Sequence, residues 1–291
     1  MQFTKNSLFF PGLNFISLKT VDSTNRFAKD LLSNSRPVAD GTVILAETQT
    51  AGRGQMTGSW LSESGKNLTF SIIVHPSFVL PEQQFLLNKV VALSVFDLLS
   101  GIVDGLYIKW PNDIICSEGK LSGILIENIL QGAAIKSSVI GIGINLNQIQ
   151  FPEGSGQATS LKLVTGADYA PDLILNNFMV FFERRYSALC QALTGEKPVG
   201  PGLRALVGQP EAANVENRVT MPEPVFSTDA DYLQALYGYQ QEKKYEVAGR
   251  QIRGKIVGIS ESGELLLESD GKTSAFWLKE IKLIPSGSSP F

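Results

Sequence analysis

The run Val139-Ile140-Gly141-Ile142-Gly143-Ile144-Asn145 reads as a strand, yet it carries glycines where strands normally avoid them. Branched apolar residues favour extended backbone, whereas glycine inside a strand leaves nothing to pack. A fold that accepts this segment must bring another group close to its backbone, or bulge there. Other elements surround it. Thr42–Ala46 and Leu68–Val74 read as buried strands, and Tyr107–Trp110 is a short extended run stopped by Pro111-Asn112-Asp113. Ile114–Cys116 and Leu121–Ile126 flank the turn Ser117-Glu118-Gly119-Lys120 as a hairpin. Helices are expected after the capping residues Asp22-Ser23-Thr24-Asn25, over Glu82–Leu99 and over Leu173–Leu193, where apolar residues recur at helical spacing. The pattern is α+β. From Thr194 to about Asp231 periodicity gives way to Gly, Pro, Asn and Glu, an irregular linker or insertion. Tyr245–Ser260, Glu264–Glu268 and Thr273–Ile284 then form a small all-β module, so the division expected is 1–240 and 241–291.

Bulk properties exclude several classes. The net charge is −3 and no block of like charges occurs, so neither a nucleic-acid tail nor a polybasic membrane anchor is expected. No apolar run is long enough to span a membrane, and Met1–Pro11 lacks a signal-peptide core, so a soluble cytoplasmic protein is expected. Cys116 and Cys190 lack metal-type spacing and fit two reduced thiols. The sole histidine, His75, precedes Pro76 at a strand end, which sets aside a Ser-His-Asp triad and favours a structural role. Gly271-Lys272-Thr273 resembles the end of a P-loop, but the required earlier glycine is Leu266. Neither Gly52-Arg53-Gly54 nor Gly141-Ile142-Gly143 completes a dinucleotide-binding fingerprint.

The loop Gly52-Arg53-Gly54-Gln55-Met56-Thr57-Gly58-Ser59-Trp60 joins two strands and suits an anion. Its glycines can take positive φ and bring backbone N–H groups to phosphate oxygens, and the Arg53 fork fits phosphate or carboxylate. Asp22-Ser23-Thr24-Asn25, Gln49-Thr50-Ala51-Gly52-Arg53-Gly54, Lys109-Trp110-Pro111-Asn112-Asp113 and Gly119-Lys120-Leu121-Ser122-Gly123-Ile124-Leu125-Ile126-Glu127 follow in order. Together with Gly141–Asn147 and Phe276-Trp277-Leu278-Lys279-Glu280-Ile281, these motifs closely resemble those of a biotin protein ligase.

The resemblance implies a mixed sheet packed against helices on one side, like that of a class II synthetase, followed by a small barrel like an SH3 domain. It implies that biotin and ATP, with Mg²⁺ carried by the nucleotide, give biotinyl-5′-AMP and pyrophosphate. A lysine of a biotin carboxyl carrier protein then takes the biotinyl group. It resembles ligases without a DNA-binding domain, because the Ser23 motif comes early, so DNA and membrane partners are not expected, while a homodimer is compatible. By the family pattern Ser23, Thr24, Asn25, Gln49, Arg53, Gly54, Gln55, Lys109 and Gly123 would meet biotin, and Arg53, Trp60, Lys109, Asn112 and Asn145 the nucleotide. Lys109 and Arg53 are the expected catalytic cations, and no protein metal site is assigned. Trp60 either stacks on adenine or anchors its loop to the core, Asp113 contacts the nucleotide or caps the turn, and Lys120 reads as a solvated hairpin residue. A lipoate or octanoate ligase and a non-catalytic biotin sensor are the rival readings. Gln55, Met56 and Thr57 stand where many such loops carry further arginines.

Overall fold

The structure, a computed structural model, describes residues 14–34, 37–56, 58–195 and 227–284. Strands Phe15–Val21 (β1), Thr42–Gln49 (β2), Leu68–Val74 (β3), Tyr107–Lys109 (β4), Asp113–Cys116 (β5), Gly119–Gln131 (β6) and Ala134–Ile144 (β7) form one sheet. Their order is β1-β2-β3-β7-β6-β5-β4. Only β1 and β2 run parallel, so the sheet is mixed. The edge strand β1 was not evident in the sequence: it is nowhere fully buried and carries Ser17, Lys19 and Thr20. β6 also runs on to Gln131, beyond the Ile126 expected.

Side-chain alternation divides the core between the two faces of this sheet. Val43, Leu45, Phe70, Ile72, Ile140 and Ile142 face one way, onto Phe85–Ser100 (α2) and Pro171–Thr194 (α4). The intervening Ile44, Ile73 and Val139 face the other way and cover Ala28 of Thr24–Ser33 (α1). The expectation of helices on one side is therefore corrected: among the described helices, α1 packs on the opposite face. α2 is buried almost all round, as a helix enclosed by sheet and neighbouring helices must be. Leu161–Thr165 (α3) is short, its N-cap Ser160 accepting from the Leu163 amide at 3.2 Å.

Most of the irregular stretch 194–231 lies outside the described residues, but Thr228–Ala235 is a helix (α5) and corrects its far end. Five strands follow, Glu242–Val247 (β8), Arg250–Ile259 (β9), Leu265–Ser269 (β10), Lys272–Phe276 (β11) and Ile281–Ile284 (β12). They form an antiparallel sheet ordered β11-β10-β9-β8-β12. The single strand expected over Tyr245–Ser260 is broken at Ala248-Gly249, where φ is 49° and 75°. Two successive positive φ values make a tight hairpin turn, and alanine gives little sign of one. No helix among the described residues is long and apolar enough to cross a membrane.

Candidate active site

Lys109 pairs with Asp113, Asp113 with Gly123, and Gly123 with Gly143, so one row of residues crosses β4, β5, β6 and β7. Residues opposed in this way project from the same face. At the β6–β7 end of the row the two glycines leave bare backbone, and the Trp60 indole lies on it. A Cβ on Gly143 would come within 2.3 Å of the Trp60 ring, and one on Gly123 within 3.2 Å. Gly141 admits a second group in the same way, since a Cβ there would be 2.2 Å from Asn25 Oδ1. The glycine pattern of β7 thus reflects close approach; the β6–β7 register shifts only far away, at Ile129/Leu130. Trp60 anchors its loop to the sheet.

The loop itself differs from the expectation drawn for it. Gly52, Gly54 and Gly58 are absent from the positive-φ residues, whereas Met56 has φ 55°. Their lack of side chains serves close packing: a Cβ on Gly52 would lie 2.4 Å from the Trp60 carbonyl oxygen. The N–H groups of Gly54, Gly58 and Trp60 donate to Gly58, Gln55 and Gly52 at 2.8, 2.9 and 3.0 Å. They close the loop and do not present an anion nest; the loop's positive charge comes from Arg53.

Beneath the loop is a cavity of about 380 Å³, whose wall includes Ser23, Thr24, Asn25, Gln49, Arg53, Gly54, Gln55, Trp60, Lys109, Asn112 and Gly123. Eleven of the twelve expected site residues are therefore gathered there. Asn145 is not among its lining residues. It is buried, and its amide donates to the Lys120 and Thr159 carbonyls at 3.2 and 2.9 Å, joining β6 to the segment before α3. Asn112 does reach the wall, but its Nδ2 donates to the Ile124 carbonyl.

At one end is a buried polar cluster. Ser23 occupies the N-cap of α1 yet makes no side-chain capping bond, so capping does not account for its buried hydroxyl. Gln49 Oε1 accepts from the Thr24 amide at 2.8 Å and from Thr24 Oγ1 at 3.1 Å. Ser71 Oγ donates to Asn25 Oδ1 at 2.6 Å. Asn25 Nδ2 donates to the Leu125 carbonyl at 3.2 Å and to Glu127 Oε2 at 3.0 Å. Only N–H can face those two acceptors, so the Asn25 amide is oriented without ambiguity.

At the other end are cations. Burial holds the Lys109 ammonium below its ordinary pKa, with Lys120 adding repulsion and Asp113 opposing both. Lys120, read in the sequence as solvated, lines the cavity, pairs with Asp113 at 2.7 Å and sits over the Trp60 ring at 5.9 Å from its centroid. Arg53 lies nearer the polar cluster, since it pairs at 3.3 Å with Oε1 of Glu127, the carboxylate that Asn25 also meets. Lys120 and Leu278 of the C-terminal sheet are wall residues that sequence reasoning did not assign, although both lie within motifs it singled out. His75 instead ties strand ends, through the Ser137 hydroxyl at 3.0 Å and the Val38 carbonyl at 2.9 Å. The arrangement can hold a ligand with polar and anionic ends and place several cations beside the anionic one.

Residues 17–145 match the Biotin/lipoate A/B protein ligase family, and residues 245–288 match the Biotin protein ligase C terminal domain. The chain is 36% identical over 180 residues to the bifunctional ligase/repressor BirA of Bacillus spizizenii, covering 60% of this chain and 54% of that protein. It is 36% identical over 134 residues to the biotin–[acetyl-CoA-carboxylase] ligase of Paracoccus denitrificans, covering 44% and 53%. The chain thus spans about half the length of these curated relatives. Among solved structures it is similar to the biotin protein ligase of Aquifex aeolicus in complex with biotin and ATP, with TM-score 0.67, 27% identity and coverage of 94% of this chain and 99% of that one.

Proposed function

We propose that this chain, whose residues 17–145 match the Biotin/lipoate A/B protein ligase family, activates biotin with ATP and passes it to a lysine of a biotin carboxyl carrier protein. The biotin carboxylate attacks the ATP α-phosphorus; the bond to pyrophosphate breaks and biotinyl-5′-AMP forms. The carrier lysine amine then attacks the mixed anhydride, releasing AMP. Mg²⁺ enters with the nucleotide, as part of the substrate.

The observation that carries this reading is the shared cavity. Ser23, Thr24, Asn25 and Gln49 line it together with Arg53, Lys109 and Lys120. A ureido ring offers N–H donors and a carbonyl acceptor, and small hydroxyls and carboxamides answer both. A plain acyl chain needs none of them, which favours biotin over lipoate or octanoate. As the α-phosphate becomes more negative in the transition state, Lys109 and Arg53 stabilise it more than the ground state, and Lys120 adds to the same field. Loss of one such contact costs about 10²–10³ in rate. Asn112 holds β6 against the Pro111 turn, and Trp60 keeps the loop over the site so that the anhydride is screened from water.

Exchange of labelled pyrophosphate into ATP tests the proposal. Exchange is expected with biotin and absent with lipoate or without acid. Exchange with lipoate alone would replace biotin as the substrate, and none with any acid would favour a sensor. Lys109→Ala is expected to suppress single-turnover adenylation by roughly 10²-fold or more while the fold persists.

A further inference from the structure

Glu127 is not part of the cavity wall, yet it bonds two residues that are. It stands on β6 opposite Val139 and so projects from the face that carries α1. Oε1 receives Lys29 at 2.7 Å and Arg53 at 3.3 Å, while Oε2 receives Asn25 at 3.0 Å. One carboxylate therefore joins α1, the Arg53 loop and the polar end of the cavity. We infer that Glu127 is a positioning residue that keeps Arg53 off the anion site in the ligand-free protein and orients the Asn25 carboxamide; its effect on turnover rests on the adenylation reading above.

The geometry fits an exchange of partners. The Arg53 side chain is 47% exposed and its contact with Glu127 is the longer of the two cation contacts, so a ligand phosphate or carboxylate can take it over. When Arg53 leaves, Lys29 remains on the same oxygen, so a partly buried carboxylate is not left uncompensated. Burial alone would raise the Glu127 pKa, but the hydrogen bonds of Lys29 and Asn25 and the charges of Lys29 and Arg53 bring it below the ordinary value, which keeps the group ionised. The bond to Oε2 also holds the Asn25 nitrogen toward β6, leaving Oδ1 to accept from Ser71.

Three variants of the full chain separate this role from general loosening. The first measurement uses no ligand: the rate of tryptic cleavage after Arg53, which requires that side chain to leave its partner. Glu127→Gln and Glu127→Ala are expected to speed it, each by about two- to fivefold, as for an exposed ion pair. Lys29→Met leaves Arg53 as the sole cation on Glu127 and is expected to slow it. The second measurement is biotin-dependent pyrophosphate exchange. Glu127→Gln, which still offers Asn25 an acceptor, is expected to lower the KM for ATP about two- to fivefold and not to raise that for biotin. Glu127→Ala is expected to raise the KM for biotin roughly three- to tenfold. Unchanged cleavage in Glu127→Gln, faster cleavage in Lys29→Met, or equal biotin KM values in the two Glu127 variants would overturn the inference. If the wild-type chain shows no exchange with biotin, the ligase reading fails and the cleavage rates still judge the hold on Arg53.

Discussion

At the scale of single residues, the site depends on side chains that are missing as much as on those present. Gly143→Ala puts a methyl group where the Trp60 indole lies, and the obstacle is a ring held by its own loop. Overpacking of this kind costs about 1–3 kcal/mol, so urea unfolding should show that loss, and pyrophosphate exchange should fall because Trp60 and the loop move together. Lys109 makes a second residue-scale prediction. Burial disfavours its charged form, so its pKa lies below the ordinary 10.5. The alkaline limb of kcat/KM is expected below that value, and Lys109→Arg should move the limb upward. The same shift makes folding gain stability as pH rises from the lowered pKa toward 10.5, because there the unfolded chain binds the extra proton. The glycines of β7 were legible in the sequence because a strand has a period and they violate its chemistry. Which groups rest on them was not, since Asn25 and Trp60 come from distant segments. Lys120 was misread for a related reason: a lysine in a Ser-Glu-Gly-Lys turn looks solvated until its partner Asp113 and the Trp60 ring are placed beside it.

At the scale of elements, α5 braces the strand that carries Lys109. The buried Tyr232 donates its hydroxyl to the Pro111 carbonyl at 2.7 Å, and just beyond the helix the Tyr237 amide donates to the Ile108 carbonyl at 2.8 Å. Two charge contacts hold α5 in place. Arg185 of α4 bridges Asp97 of α2, at 2.5 and 2.9 Å, to Asp231 of α5 at 3.0 Å. Lys89 of α2 meets Asp229 at 2.7 Å, but that aspartate side chain is 68% exposed. Removing Arg185 strands the partly buried Asp97 and Asp231, whereas removing Lys89 leaves an aspartate that water already solvates. Arg185→Ala is therefore expected to destabilise the protein by about 3 kcal/mol and Lys89→Met by less than about 1 kcal/mol, as measured by denaturant unfolding. If the two losses are equal, Arg185 is not the principal tie. Most strands and the long helices were legible from apolar periodicity, but β1 and α5 were not. The first turn of α5 contains Asp229 and Asp231, which read as solvated until Lys89 and Arg185 meet them.

At the scale of the whole molecule, the C-terminal sheet was legible as a module from its turns, yet its contact with the site was not, because that contact uses backbone. Trp110, next to Lys109, donates its indole N–H to the Gly263 carbonyl at 3.0 Å, and Gln83 reaches Glu261 at 3.1 Å. Gly263 has φ 102°, and a Cβ on it would lie 2.4 Å from the Phe85 ring at the start of α2. The turn between β9 and β10 thus sits flat on α2 while Leu278, from the loop between β11 and β12, closes one side of the cavity. Gly263→Ala strains the backbone and pushes the turn off Phe85, so it attacks the contact between sheets and leaves both sheets their own hydrogen bonds. Trp110→Phe removes the bond to the Gly263 carbonyl and part of the ring's packing, with no backbone strain. If this contact positions Leu278 over the nucleotide, Gly263→Ala should raise the KM for ATP more than that for biotin, and Trp110→Phe should do the same more weakly. Small-angle scattering should show a larger radius of gyration for Gly263→Ala alone, with secondary structure by circular dichroism unchanged in both. An equal rise in both KM values, without expansion, would mean that the contact sustains the cavity as a whole and that the C-terminal sheet has no particular part in holding the nucleotide.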